Sequence, residues 1–178
     1  MQNPSAPAIF LASSSRYRRS LLERFLDQFE VVSPDVDESN VDGLEPDDLA
    51  AQLARKKAEA VSANAPRALI IGADQLAVLD EQVLGKPGTH QKAVEQLVAA
   101  SGKAVRFVTA VCILDPVSRK RYEHIDTTIV RFRQYDRRLA ETYLRHDEPY
   151  DCAGSFKVEG AGFVLFESVK AEDPTALV

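Results

Sequence analysis

The sequence predicts an α/β fold, and two observations carry the prediction. Short apolar runs of strand length alternate along the chain with segments whose apolar residues recur at helical spacing. At 178 residues the chain is long enough for one sizeable core, or for two small lobes around a cleft. One domain over residues 1–178 is the expectation.

Ala8–Ala12 reads as a short buried first strand, ended by Ser13, Ser14 and Ser15. Tyr17–Phe29 reads as an amphipathic helix with Leu21, Leu22, Phe25 and Leu26 on one side. Phe29–Ser33 is a second strand, followed by an acidic loop, Pro34–Asn40. A second helix is expected from Glu45–Pro46 to about Ala63, with apolar Leu49, Leu53 and Ala60 and the basic trio Arg55, Lys56 and Lys57. The apolar run Ala68–Ile71 then stops at Gly72, delivers Asp74 and Gln75 to its end, and gives way to a second apolar run closed by the turn Gly85-Lys86-Pro87-Gly88. A third helix runs from Thr89 to a stop at Ser101–Gly102, and Ala104–Leu114 is a strongly apolar, central strand. Asp115-Pro116 turns the chain into Tyr122–Arg133, whose alternation suits an antiparallel strand. A fourth helix covers Gln134–His146, and a glycine-spaced polar segment leads to a last strand at Phe163–Phe166. The chain ends on an apolar tail, Asp173–Val178, without a helix stop, as though a further element followed.

Bulk composition excludes several functions. With 45% hydrophobic and 28% charged residues, the chain has the make-up of a soluble globular protein. Lys+Arg number 22 against 27 Asp+Glu, so the formal charge of -5 argues against coating nucleic acid; an anionic ligand would need a local basic patch. Cys112 and Cys152 lie far apart with no metal-ligand spacing, and the lead MQNPSAP lacks the basic start and apolar run of an export signal. The cytoplasm is the simplest compartment. His90, His124 and His146 share no HxH or HExxH pattern, GxSxG is absent, and Gly85-Lys86 lacks the GxxxxGK[ST] spacing of a P-loop. Gly160-Ala161-Gly162 lacks the context of a dinucleotide fingerprint.

What remains is a set of charged groups beside apolar elements. Asp74 so near the core is costly unless paired or bound to a metal; a turn or helix-cap role is the plain alternative. The serines after the first strand can cap the helix that follows, and its free N–H groups form an anion site next to Arg16, Arg18 and Arg19. That is a phosphate grip, or else an ordinary solvated arginine cluster. Asp35, Asp37 and Glu38 can be solvated, and the lysine row of the second helix can lie on the surface. Glu159, between glycines, is placed to present a carboxylate where backbone approaches a ligand closely.

Set side by side, LASSSRYRR (11–19), VDES (36–39), ARKKAEA (54–60), IIGADQ (70–75), LGKP (84–87), CAGSFKVEG (152–160) and DPTALV (173–178) resemble the Maf family of nucleoside-triphosphate pyrophosphatases. The resemblance runs over essentially the whole chain. It implies a Maf-like, inosine-triphosphatase-like mixed sheet with flanking helices and two lobes around a central cleft. The implied activity is cleavage of the α–β phosphoanhydride of a nucleoside triphosphate, giving monophosphate and pyrophosphate. By position, Asp74 resembles the catalytic acid that takes a proton from water. Ser13 and Arg18 resemble triphosphate binders, Lys57 and Lys86 phosphate-charge partners, and Glu38 a carboxylate serving metal or water. Elementary chemistry agrees, because a divalent cation (Mg²⁺ or Mn²⁺) held by Asp74 and Glu38, and fixed cations at Arg18, Lys57 and Lys86, are what attack on a triphosphate requires. The partner implied is a small nucleotide, with no nucleic-acid polymer and no membrane; a homodimer is common among similar proteins.

Base choice is implied by Tyr17, Gln75 and Glu159. The pyrimidine-nucleotide branch of the family carries arginine, threonine and glutamine there, whereas the branch acting on 7-methyl-GTP carries an aromatic residue, Gln and Glu. A cationic N7-methylguanine would stack on Tyr17, and Glu159 would accept from its N1–H and amino group, while meeting the O4 of uracil or thymine with repulsion. Two departures are mild: tyrosine at 17 where tryptophan is usual, and Arg16 where proline is usual. The family pattern also continues past 178 with a Gly-Leu-Pro turn and a terminal helix. Two alternatives stand beside this reading: the same chemistry on dTTP or UTP, and a non-catalytic nucleotide-binding regulator.

Overall fold

The computed structural model describes residues 7–38 and 43–178. The lead 1–6, and Ser39 and Asn40 of the acidic loop, lie outside the described residues. In chain order the elements are β1 (Ile9–Ala12), α1 (Arg16–Leu22), β2 (Glu30–Val32), α2 (Pro46–Ser62), β3 (Leu69–Leu79), β4 (Gln82–Leu84), α3 (His90–Ala100), β5 (Ala104–Asp115), β6 (Lys120–Phe132), α4 (Arg137–Asp147) and β7 (Phe166–Lys170), with short 3₁₀ turns at Ala153–Ser155 and Ala161–Val164. The strands form one sheet in the order β2-β1-β3-β5-β6-β7, with β4 paired to β3. β1 runs parallel to β2 and β3, while β4 and β7 run antiparallel to β3 and β6. The mixed α/β sheet with helices is thus as expected. Among the described residues no helix is long and apolar enough to cross a membrane.

The chain divides into two compact units, one running to Asp74 and including Ala110–Ile125, the other comprising Gln75–Thr109 and Asp126–Val178. The first is organised by α2 against the sheet. Pro46 opens this helix, and Asp47 and Asp48 in its first turn face the positive end of the helix dipole. Its buried residues Leu49, Ala50, Leu53, Ala54, Lys57, Ala58 and Val61 follow helical spacing, so Lys57 is carried on the buried side. Arg55 and Glu59, off that stripe, pair with Glu123 and Arg121. The helix lies so close to β3 that a Cβ on Gly72 would stand 2.2 Å from the Ala54 carbonyl oxygen and 2.8 Å from the Ala58 nitrogen. Only a residue without a side chain permits that approach.

The second unit holds the larger apolar core, built from Ala77 and Leu79 of β3, Val94 and Leu97 of α3, Phe107, Phe132, Leu144, Leu165 and Leu177 among others. Phe156 is its aromatic hub, with ring centroids 5.9, 5.6 and 5.8 Å from Phe107, Phe132 and Phe166 at tilted or edge-on angles. Helices α3 and α4 are closed at their N-termini by Thr89 and Asp136, whose side chains accept from the N–H groups of Lys92 and Leu139.

Four details differ from the sequence reading. α1 ends at Leu22 rather than Phe29: none of its residues is buried and Phe25 is 70% exposed, so the apolar stripe has no core to extend against. β3 does not stop at Gly72, because pairing with β1 as far as Ala12↔Gly72 is followed by a tight hairpin to β4, which keeps the strand extended to Leu79. Asp74 is therefore a mid-strand residue and not a turn or cap. β4 itself was hidden in the run after Gln75, its hairpin loop being Asp80-Glu81, both at positive φ, in place of the usual Asn-Gly. The last strand begins at Phe166 rather than Phe163, since Ala161–Val164 is wound into a 3₁₀ turn whose first N–H is taken by the Asp147 carboxylate at 2.8 Å.

Candidate active site

Strand alternation puts Ile70, Gly72 and Asp74 of β3 on one side of the pleat, and Gly72 lets α2 press against that side. Lys57 stands one turn from Ala54 and beside Ala58, so its stem crosses the same contact and its ammonium meets the Asp74 carboxylate. Nζ to Oδ1 is 2.5 Å, with Asp74 6% and Lys57 8% exposed. The same ammonium bonds Glu38 Oε1 at 2.8 Å, and the Glu38 side chain remains half open to solvent. Two carboxylates thus converge on one cation.

Past Ala12, β1 has no further residue to pair with β3, so the Ala73 carbonyl needs another donor. Arg18 supplies it, with Nη1 at 2.7 Å. A guanidinium has five N–H donors, of which this bond uses one. Arg18 reaches this position because Ser15 caps α1 by accepting from the Arg18 N–H at 3.3 Å. The buried Ser13 hydroxyl in turn accepts from the Ser15 N–H at 3.1 Å and fixes the loop. Burial pulls the Arg18 guanidinium down from its ordinary value, and the charges of Asp74 and Glu38 push it back. Burial also pushes the Asp74 carboxyl above the ordinary carboxylate range, while Lys57, by charge and hydrogen bond, and Arg18 oppose the rise and Glu38 adds to it. A buried carboxylate so perturbed, beside cations, is a candidate for proton transfer, although structural ion pairs show the same perturbation.

The structure therefore gathers Arg18, Glu38, Lys57 and Asp74, with Ser13 supporting the loop. Tyr17 lies on the same helix start, half-buried, and the Arg16 guanidinium sits 4.8 Å from its ring centroid while Nη2 bonds its hydroxyl at 2.7 Å. Gln75, Lys86 and Glu159 belong to the second unit. Lys86 is exposed in the turn after β4, and Glu159 is exposed in a loop. That loop is pinned from α4: the Tyr143 hydroxyl accepts from the Lys157 N–H at 2.9 Å, the Asp147 backbone carbonyl accepts from Lys157 Nζ, and the Asp147 carboxylate holds Ala161 N–H. Gln75 is held by Thr109 and the Ala176 carbonyl. Sequence reading missed Thr109, Tyr143, Asp147 and the space-making role of Gly72. A threonine hydroxyl inside the apolar run 104–114 needs a hydrogen-bond partner, and that requirement was its available signal.

Among the described residues there is no group of three or more His, Cys, Asp or Glu side chains that could enclose a metal. The Asp74 and Glu38 oxygens that meet at Lys57 Nζ are of the donor type a hard divalent cation takes. Mg²⁺ is commonly held by one or two carboxylates, with waters and substrate phosphates completing its shell.

Comparison with known proteins gives the following. The family profile described as Maf-like protein matches residues 8–178. A protein of Nitrosococcus oceani described as 7-methyl-GTP pyrophosphatase is 43% identical over 178 residues, covering 100% of this chain and 89% of that protein. Proteins of the same description from Cupriavidus metallidurans and Pseudomonas syringae pv. syringae are 46% and 48% identical, covering 100% and 97% of this chain and 89% and 90% of theirs. Matched by the profile along nearly its whole length and by relatives well above 30% identity, the chain belongs to the Maf family.

Proposed function

We propose that this protein is a pyrophosphatase that hydrolyses 7-methyl-GTP to 7-methyl-GMP and pyrophosphate. Relatives so described, at 43% to 48% identity, support the substrate. The observation that carries the chemistry is the buried Asp74 carboxylate, raised by its burial and flanked by Lys57 and Arg18. Asp74 accepts the proton of the attacking water at Oδ1 or Oδ2. Arg18, through donors not given to Ala73, and Lys57 meet the charge that grows on the phosphate oxygens, and Lys86, exposed in its turn, adds a further cation. Asp74 and Glu38 would hold a Mg²⁺ or Mn²⁺ ion, which when bound supplies further charge stabilisation to those oxygens. Tyr17 stacks on the cationic base and Glu159 accepts from its N1–H and amino group. We place it in the cytoplasm, a compartment with which its two free cysteines, Cys112 and Cys152, agree. A homodimer is the working assignment of subunit number.

A panel of 7-methyl-GTP, GTP, UTP and dTTP with Mg²⁺ or Mn²⁺, read by product identity, tests this. The expected result is preference for 7-methyl-GTP with release of pyrophosphate and no stepwise orthophosphate. Preference for UTP or dTTP would remove the assigned role of Glu159. Tight binding with negligible turnover in the presence of metal would make the protein a nucleotide-responsive regulator instead.

A further inference from the structure

Gln75 has a side-chain amide with two kinds of edge, and its surroundings decide which edge is spoken for. Its Nε2 donates to Thr109 Oγ1 at 2.9 Å and to the Ala176 carbonyl at 3.0 Å. Thr109 Oγ1 itself donates to the same carbonyl at 2.7 Å. A backbone carbonyl only accepts, so the single Thr109 proton is committed to Ala176 and its oxygen can only accept from Gln75. Both partners facing Gln75 are therefore acceptors. The amide is locked with NH₂ toward them, and Oε1 is the one group it has left for a ligand. The tail that provides the carbonyl is itself tied down: the buried Asp126 carboxylate accepts from the Asp173 N–H at 3.2 Å, and Leu177 is buried in the core of the second unit.

We infer that Thr109 is a positioning residue for base selection, holding Gln75 so that it offers an acceptor and takes a nucleobase presenting an N–H donor. The inference rests on the 7-methyl-GTP reading and deepens it. The guanine amino group has a second N–H beyond the one Glu159 takes, whereas a uracil or thymine, with a single N–H between two carbonyls, would bring O4 to Oε1 as acceptor against acceptor. Without Thr109 one of the two acceptors that fix the amide is gone and only the Ala176 carbonyl remains, so the distinction weakens, because a turned glutamine offers a donor in place of the acceptor.

The test compares the parent with Thr109→Val and Thr109→Ser on 7-methyl-GTP, GTP and UTP, with kcat and KM separated. Thr109→Val keeps the shape but removes the hydroxyl. It is expected to raise KM for 7-methyl-GTP about three- to tenfold, the worth of one hydrogen bond, with kcat nearly constant and KM for UTP unchanged or lower. Thr109→Ser should restore the parent ratio. A Thr109→Val protein with the parent's substrate ratio, or with kcat lowered alike on every substrate, overturns the inference. Should Thr109→Val not fold, Thr109→Ala asks the same question at the same position, since it too removes the hydroxyl that accepts from Gln75; retention of the parent ratio there is equally fatal. If the parent itself prefers UTP, the substrate reading fails separately, and Thr109 is then judged by whether Thr109→Val alters the UTP-to-GTP ratio.

Discussion

Asp74→Asn is expected to lower turnover by about 10²–10⁴-fold, the range a positioned base supplies, while the protein stays folded. The amide preserves the shape of the carboxylate but cannot take a proton from water. Removing one partner of a buried ion pair often costs about 3–5 kcal/mol, because the other charge is stranded. Here Lys57 keeps Glu38 at 2.8 Å, so the loss of stability should be smaller. Pyrophosphate release measured beside an unfolding curve separates the two effects. Undiminished release by a folded Asp74→Asn protein would take Asp74 out of the chemistry.

The same residue predicts a pH dependence of stability in the metal-free protein. Its carboxyl is raised in the folded state, chiefly by burial, so the folded protein binds that proton more firmly than the unfolded chain does. Asp74 therefore contributes most below the ordinary aspartate value of about 3.9, and its contribution falls as pH rises toward the raised folded value. Urea midpoints taken across that window with chelator present should decline more steeply for the parent than for Asp74→Asn. Parallel curves would mean that burial does not govern this group.

The largest expected effect on stability comes from a residue with no side chain at all. Gly72→Ala would place a Cβ 2.2 Å from the Ala54 carbonyl oxygen, and backbone on both sides of the contact leaves nothing flexible to move aside. Overpacking of this kind costs about 1–3 kcal/mol, occasionally more, and the rigid neighbours place this case at the upper end. Against a domain stability of about 5–15 kcal/mol that is a sizeable share. Relief requires α2 to lift from β3, which would pull Lys57 away from Asp74, so activity should fall with the midpoint. A Gly72→Ala protein with the parent's urea midpoint would show that the helix can slide without cost.

Much of this was legible in the chain because the signals are local. The helix bounds at Pro46, Thr89 and Ser101 follow from capping and breaking residues, and α2 displays its buried stripe openly. Periodicity overextends α1 because it states which face is apolar and not whether a core is there to receive it; Phe25 finds none. In the segment 68–79 the glycine reads as a stop from sequence, whereas it is a point of close approach, a distinction that depends on α2 and is invisible from β3 alone. Asp74 and Lys57 stand 17 residues apart, and their meeting rests on that same contact. Thr109 was hidden for a related reason, since its partners come from positions 75 and 176.

Asp74 and Gln75 are neighbours in sequence, yet the pleat sends one to Lys57 on α2 and the other to Thr109 on β5. In the proposed mechanism one peptide unit thus separates the machinery of bond breaking from the choice of what is broken. On that proposal, substitutions around Gln75 would leave the side-chain contacts of Asp74 in place. An insertion or deletion between Gly72 and Gln75 has no such freedom, because a shift of one residue would exchange the acid and the amide and abolish both roles at once.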